Sequence, residues 1–305
     1  MRHELKFTGP AVGTDRVSAP LLSDLLKIMV DGAEEVLRYR LEGRSRAKGA
    51  KPTWLRTAAE FQFLPTGDPS VIRLEALPLR QALPDKFKQR DFFETVNPDK
   101  SALDLFEDGL EDALRGNADS DLFDEGLATT YAEFADLYRA GLDSLEIVNG
   151  RTVAVSKDGL ACVEALRRQT PPPRTIRIAG ELDSIRYSDR MFELVLPNRD
   201  KLRGVAEEIE EEDLATLWGK PVVIAGTAVF RPSGSVLRIE ARAVRSASEA
   251  DLAIWGISPR PLGSQPELRD LRVPQGPRTG LHALLGQWPG DEDDDAIERA
   301  LEAVS

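Results

Sequence analysis

One cysteine and two histidines are all that 305 residues contain of the side chains that most often bind transition metals or serve as nucleophile and base. The single thiol, Cys162, excludes an internal disulfide and any thiolate metal cluster. It shares a helix face with Leu160, Val163 and Leu166, so it reads as a buried structural thiol. His3 and His282 stand near opposite ends, and zinc centres or histidine-based triads would need unusual partners. No phosphate loop and no nucleophile motif occurs. No apolar run approaches the roughly 20 residues of a membrane span, and the opening MRHELKFTGP has no signal-peptide core. These absences favour binding over catalysis. No enzyme activity, cofactor, metal or membrane contact is expected, and the location expected is cytoplasmic.

What is present is charge, unevenly placed. The net charge of -12 comes mainly from two blocks. Residues 91 to 147 carry 3 basic and 16 acidic side chains, and residues 246 to 305 carry 5 and 11, whereas residues 174 to 245 balance at 12 and 12. Such acidic blocks repel nucleic acid and attract basic protein surfaces, and a solvated outer face is the plain alternative.

The periodicities divide the chain into an α+β body over residues 1–170, a small barrel over 174–246 and an extended arm over 247–305. In the body, HELKFTG alternates Leu5 and Phe7 as a short strand. SAPLLSDLLKIMVDGAEEVLRYRL then has Ser18 as N-cap, Pro20 in its first turn and apolar residues at helical spacing. The loop that follows gathers Arg38, Arg40, Arg44, Arg46, Lys48 and Lys51 around glycines. With only Tyr39 and Trp54 as nearby rings, it reads as a solubilising loop or an intramolecular partner of the acidic block. Direct nucleic-acid contact through Arg44, Arg46, Lys48 and Lys51 is the alternative. AAEFQFLPTGDPSVIRLEALPL gives two strands around a turn at Gly67. Two amphipathic helices follow, one through Leu103, Phe106, Leu110 and Leu114 and one from Leu127 to Leu142. The carboxylates Asp104, Glu107, Asp108, Glu111 and Asp112 are assigned mostly to the outer face, with no histidine partner for a metal. Asn149-Gly150 predicts a type I′ hairpin, and Ser156 starts another helix. Pro171 to Pro173 form a stiff boundary.

From Arg174 the pattern alternates in the order β-β-β-α-β-β. That order matches an OB-fold, and an SH3-like barrel is hard to separate from it on strand count alone. Such barrels often bind nucleic acid or peptides. Balanced charge and few rings (Tyr187, Phe192 and Phe230) favour a protein-interaction or structural role equally. Beyond Trp255 a stretch rich in proline, glycine and arginine reads as the arm.

The arm ends in GQWPGDEDDDAIERALEAVS. Pro289-Gly290 turns the chain, and Asp291 to Asp295 lie at the start of a helix whose macrodipole they complement. Ala296, Ile297, Ala300, Leu301, Ala303 and Val304 make an apolar face on a helix too short to persist alone, so it needs a surface: its own core or a partner's groove. This segment, Gly286 to Ser305, resembles the C-terminal ends of bacterial antitoxins from toxin–antitoxin pairs, where a Trp-Pro-Gly-Asp-Glu stretch leads into an acidic helix. The resemblance implies a cognate toxin as partner, a ribonuclease such as one of the PIN type, whose active site this segment obstructs. Under it, Trp288 fills an apolar pocket. Asp291, Glu292, Asp293, Asp294 and Asp295 meet basic groups that hold RNA phosphate. Ile297 and Leu301 line a groove, and Arg299 pairs with a metal-binding carboxylate of the toxin. The chain departs from the usual antitoxin in having no ribbon-helix-helix or similar DNA-binding module at its start.

Overall fold

Leu5 and Phe7 lie on the core side of strand β1 (Arg2–Thr8), and both are fully buried. The computed structural model describes residues 1–13, 16–47, 49–87, 96–186, 190–206 and 208–263. In it β1 is the centre of a five-stranded antiparallel sheet. After β1 come the long helix α1 (Ala19–Glu42), the short α2 (Thr53–Ala59), and the hairpin β2 (Phe61–Leu64) and β3 (Val71–Ala76). Then follow α3 (Leu79–Ala82), α4 (Ala102–Leu114), α5 (Glu125–Ala132), α6 (Phe134–Arg139), a second hairpin β4 (Ser144–Val148) and β5 (Thr152–Val155), and α7 (Lys157–Gln169). The sheet order is β2-β3-β1-β4-β5. Its inner face shares one apolar core with α1, α4, α5, α6 and α7.

Local signals explain most of these elements. The Ser101 hydroxyl accepts the Asp104 N–H at the start of α4, and the Ser156 hydroxyl accepts the Gly159 N–H at the start of α7. Ser18 occupies the N-cap of α1 without a side-chain bond, and Gly43 ends that helix at φ 77°, a left-handed conformation that glycine adopts without strain. Four expectations are corrected. The helix read from Leu127 to Leu142 is broken near Glu133 into α5 and α6. Cys162 is half-buried beside Gly116 rather than buried. The Asn149-Gly150 turn is not type I′, because that turn needs positive φ at both residues and only Gly150 has it (φ 65°). The Asn149 side chain is engaged elsewhere, donating to Asp104 Oδ1 at 2.5 Å, and Val148 pairs with Thr152 across a three-residue connection. Finally, Asp104 and Glu107 are buried, not on an outer face.

Beyond Pro173 the chain forms β6 (Arg174–Arg186), β7 (Met191–Val195), β8 (Lys201–Val205), α8 (Glu211–Leu217), β9 (Pro221–Phe230) and β10 (Val236–Ser246). The five strands close into a barrel in the order β10-β8-β7-β6-β9. Every pairing is antiparallel except β8 with β10. A parallel bond between the third and fifth strands closes the barrel in the OB-like order. Its core is separate from that of the body and includes Leu214 of the helix between the third and fourth strands. The stretch read as arm begins with one more helix, α9 (Glu249–Trp255). This helix is started by a Ser248–Asp251 capping box and packs on β6 and β9. Body and barrel belong to one compact unit, residues 1–262.

Candidate functional site

The end of α1 meets the barrel, and a cleft of about 570 Å³ opens there. Gly43 makes the approach close. A side chain on it would reach Val205 Cγ2 at 2.9 Å and the Met191 methyl at 3.6 Å, so the glycine both stops the helix and seats it on β7 and β8. Tyr39, one turn earlier, is buried and donates its hydroxyl to the Asp121 carbonyl at 3.1 Å. Burial pushes the phenol's pKa well up, so it remains a donor at any working pH.

The barrel contributes Ser184 to Arg186 from the end of β6, Met191 to Glu193 from the start of β7, Arg203 to Val205 from β8, and Leu237 and Arg238 from β10. These positions lie on the second and third strands and the adjoining parts of the first and fifth; in OB-folds the face over the second and third strands holds ligands. Four arginines (Arg40, Arg186, Arg203 and Arg238) face two acids, Asp121 and Glu193. Arg238 is committed to Asp124 at 3.3 Å and Glu240 at 2.9 Å. Arg203 is exposed and forms no ion pair among the described residues. Phe192, which lines the cleft, and Phe230 are both buried in the barrel core, so neither exposes a ring to a ligand.

The body's acidic loop clamps one side of this cleft. Arg231 pairs with Asp121, and the Ser233 and Ser235 hydroxyls donate to Asp119, the latter at 3.0 Å. Those hydroxyls hold the Asp119 carboxyl below its usual range. Part of the acidic block therefore serves to seat the barrel.

The basic loop is used inside the body. Arg46 donates to Glu35 Oε1 at 2.6 Å and to Thr130 Oγ1 at 3.1 Å, and Lys51 pairs with Asp31 and Glu34. Arg44 is also engaged. These contacts make the loop an intramolecular partner, chiefly of acids on α1 (Asp31, Glu34 and Glu35) rather than of the acidic block at 91–147, and leave Arg203 as the exposed cleft arginine without an ion pair among the described residues. Lys48, Tyr187 and His282 lie outside the described residues, as do all the tail positions: Trp288, Asp291, Glu292, Asp293, Asp294, Asp295, Ile297, Arg299 and Leu301.

A second constellation escaped the sequence reading. His3, on the same face of β1 as Leu5 and Phe7, is fully buried against α4. Its Nδ1 lies 2.5 Å from Glu107 Oε1, and its Nε2 lies 3.4 Å from Ser101 Oγ. Serine, histidine and glutamate in this order resemble a nucleophilic triad, but Ser101 is itself fully buried and its proton goes to Asp104 Oδ2 at 2.6 Å. The serine is a helix cap. The signal was present in the pattern, because Glu107 stands four residues after Leu103 and three before Leu110, on the apolar stripe.

No family model, no curated protein and no solved structure matches this chain.

Proposed function

We propose that this protein is a binding module that holds a short single-stranded stretch of nucleic acid in the cleft between the barrel face and the end of α1. The observation that carries the reading is Arg203, an exposed guanidinium on the third barrel strand with no internal ion pair among the described residues. Beside it are Arg40 and Arg186, at the position where an OB-like barrel presents its ligand face. A guanidinium fork fits phosphate geometry. With no exposed ring in the described part of the cleft, affinity comes from phosphate contacts, so it falls steeply as salt rises.

Fluorescence anisotropy with a labelled oligothymidine and an oligouridine tests this. Binding at low salt that weakens at physiological salt, and that drops about tenfold in Arg203→Glu, is the expected result. No binding at low salt would end the proposal. The acidic end of the chain supports a second reading by its resemblance to antitoxin tails: neutralisation of a ribonuclease toxin through Trp288, Ile297 and Leu301. Unchanged affinity for that toxin after Trp288→Ala with Ile297→Asp would remove it.

A further inference from the structure

We propose that His3, Asp104 and Glu107 form a site for one divalent transition-metal ion that ties the first strand to α4. The imidazole comes from β1 by strand alternation, and the two carboxylates come from α4 at a spacing of three, so both project from one face of the helix. All three side chains are buried, and one ligand atom from each can be chosen so that these atoms lie within 4.8 Å of one another. A nitrogen and two carboxylate oxygens suit zinc, manganese or ferrous iron. Calcium asks for six or more oxygens.

Two further observations point to an ion. The first is charge. Asp104 bonds only to Ser101 and Asn149, Glu107 only to His3, and no lysine or arginine pairs with either among the described residues. Lys100 and Arg151 pair instead with Asp108 nearby. Two buried carboxylates thus face one imidazole, an arrangement that low-dielectric surroundings penalise.

The second is the proton inventory at His3. Ser101 has one hydroxyl proton, directed to Asp104 Oδ2 at 2.6 Å, while its oxygen accepts the Asp104 N–H at 3.2 Å. If His3 donates Nδ1–H to Glu107, Nε2 is a lone pair in the core with no donor. If the proton sits on Nε2 instead, the Nδ1 lone pair meets a carboxylate oxygen at 2.5 Å. Full protonation satisfies both nitrogens but sets one positive charge against two buried carboxylates, with Arg151 acting on Glu107 only through space. A divalent cation bound at Nδ1 answers the second case: it takes that lone pair and the facing Glu107 oxygen as ligands, offsets the charge, and leaves Nε2–H to donate to Ser101 Oγ. The cover of the site is the turn of the β4–β5 hairpin, where Asn149 donates to Asp104 and Gly150 is exposed with open space around it. That surface turn is the entry path.

The test uses the full chain, stripped with chelator and dialysed in turn against zinc, manganese and ferrous iron, with metal content read by mass spectrometry and unfolding followed by heat. One ion per chain and a rise in Tm on the order of 5 °C are expected with at least one of the metals. Cobalt should give visible absorption bands that zinc abolishes. Glu107→Gln, which keeps the shape of the side chain, and His3→Gln should both lose the ion. Substoichiometric metal with unchanged Tm for all three ions would overturn the proposal without reference to any variant. An ion retained in both variants would overturn the placement.

Discussion

In the body, the described residues include buried polar or charged side chains from His3 to Thr130, among them Glu34, Ser45, Ser101, Asp104, Glu107 and Asp124, whereas the barrel core from Ile176 to Ala241 is apolar throughout. The difference follows from how each region is held together. A closed barrel fixes its strands relative to one another through backbone bonds around the ring, and side chains need only fill the inside. The body packs separate helices on an open sheet, where apolar contact alone is tolerant of sliding. Directional bonds choose the position: His3 and Asn149 meet α4, Ser45 donates to Asp124, and Thr130 donates to Glu35. The barrel's polar groups are therefore left outside, where a ligand can use them.

The largest test of that contrast is Glu107→Ala in chelator-treated protein. It leaves the buried His3 facing a void and should reduce unfolding stability by about 3–5 kcal/mol, measured by denaturant titration. A loss below about 1 kcal/mol would mean that the polar cluster does not hold the body together. A smaller effect should be common to both regions. Gly32 on α1 underlies the Phe106 ring, and Gly204 on β8 underlies the Phe192 ring; a methyl at either position would overlap the ring above it. Gly32→Ala and Gly204→Ala should each cost about 1–3 kcal/mol. Comparable losses would show that close packing is shared and that only the polar interior differs.

The barrel was more legible in the sequence than the body's contacts. Alternation and turns from Arg174 to Arg245 revealed strand order, because a strand's face is written in its own residues. The meeting of His3 with Glu107 crosses 104 positions and depends on packing β1 against α4. Each half of the signal was local, a histidine in phase with Leu5 and Phe7 and a glutamate in phase with Leu103 and Leu110, but the join was tertiary. The same holds for the cleft. Glycines marked the loop after the first helix, yet the close approach of Gly43 to Val205 lies across the Pro171–Pro173 boundary. The Asn149-Gly150 turn shows tertiary override, since the side chain favoured for one turn type is recruited by Asp104.

Within the body, a carboxyl in the interior and one at the contact with the barrel meet acid with opposite sign. Burial pushes Glu35 above its ordinary 4.5, with bonds from Arg46 and Thr130 opposing it in part. Its folded form binds a proton more tightly than the unfolded chain does, so it opposes folding progressively as pH rises from 4.5 through its folded pKa. Asp119, held below 3.8 by Ser233 and Ser235, does the reverse. Its contribution is complete above 3.8 and is lost as pH falls through its lower folded value. Carboxyl carbon NMR should show Glu35 protonating early and Asp119 late on acidification. In Asp119→Asn the acid-side weakening of the body–barrel contact should diminish.

The smallest expected effect on stability is also the one that separates ligand residues from structural ones. Arg203 stands opposite Glu193 in the β7–β8 ladder, but Glu193 accepts from Lys201 at 2.5 Å. Removing the guanidinium thus breaks no internal pair, and Arg203→Ala should alter unfolding stability by less than about 0.5 kcal/mol. If the same substitution weakens oligonucleotide binding, the charge on the barrel's outside acts on a ligand and not on the fold. A loss of stability as large as that of Glu107→Ala would mean instead that the barrel, like the body, depends on its polar side chains for its shape.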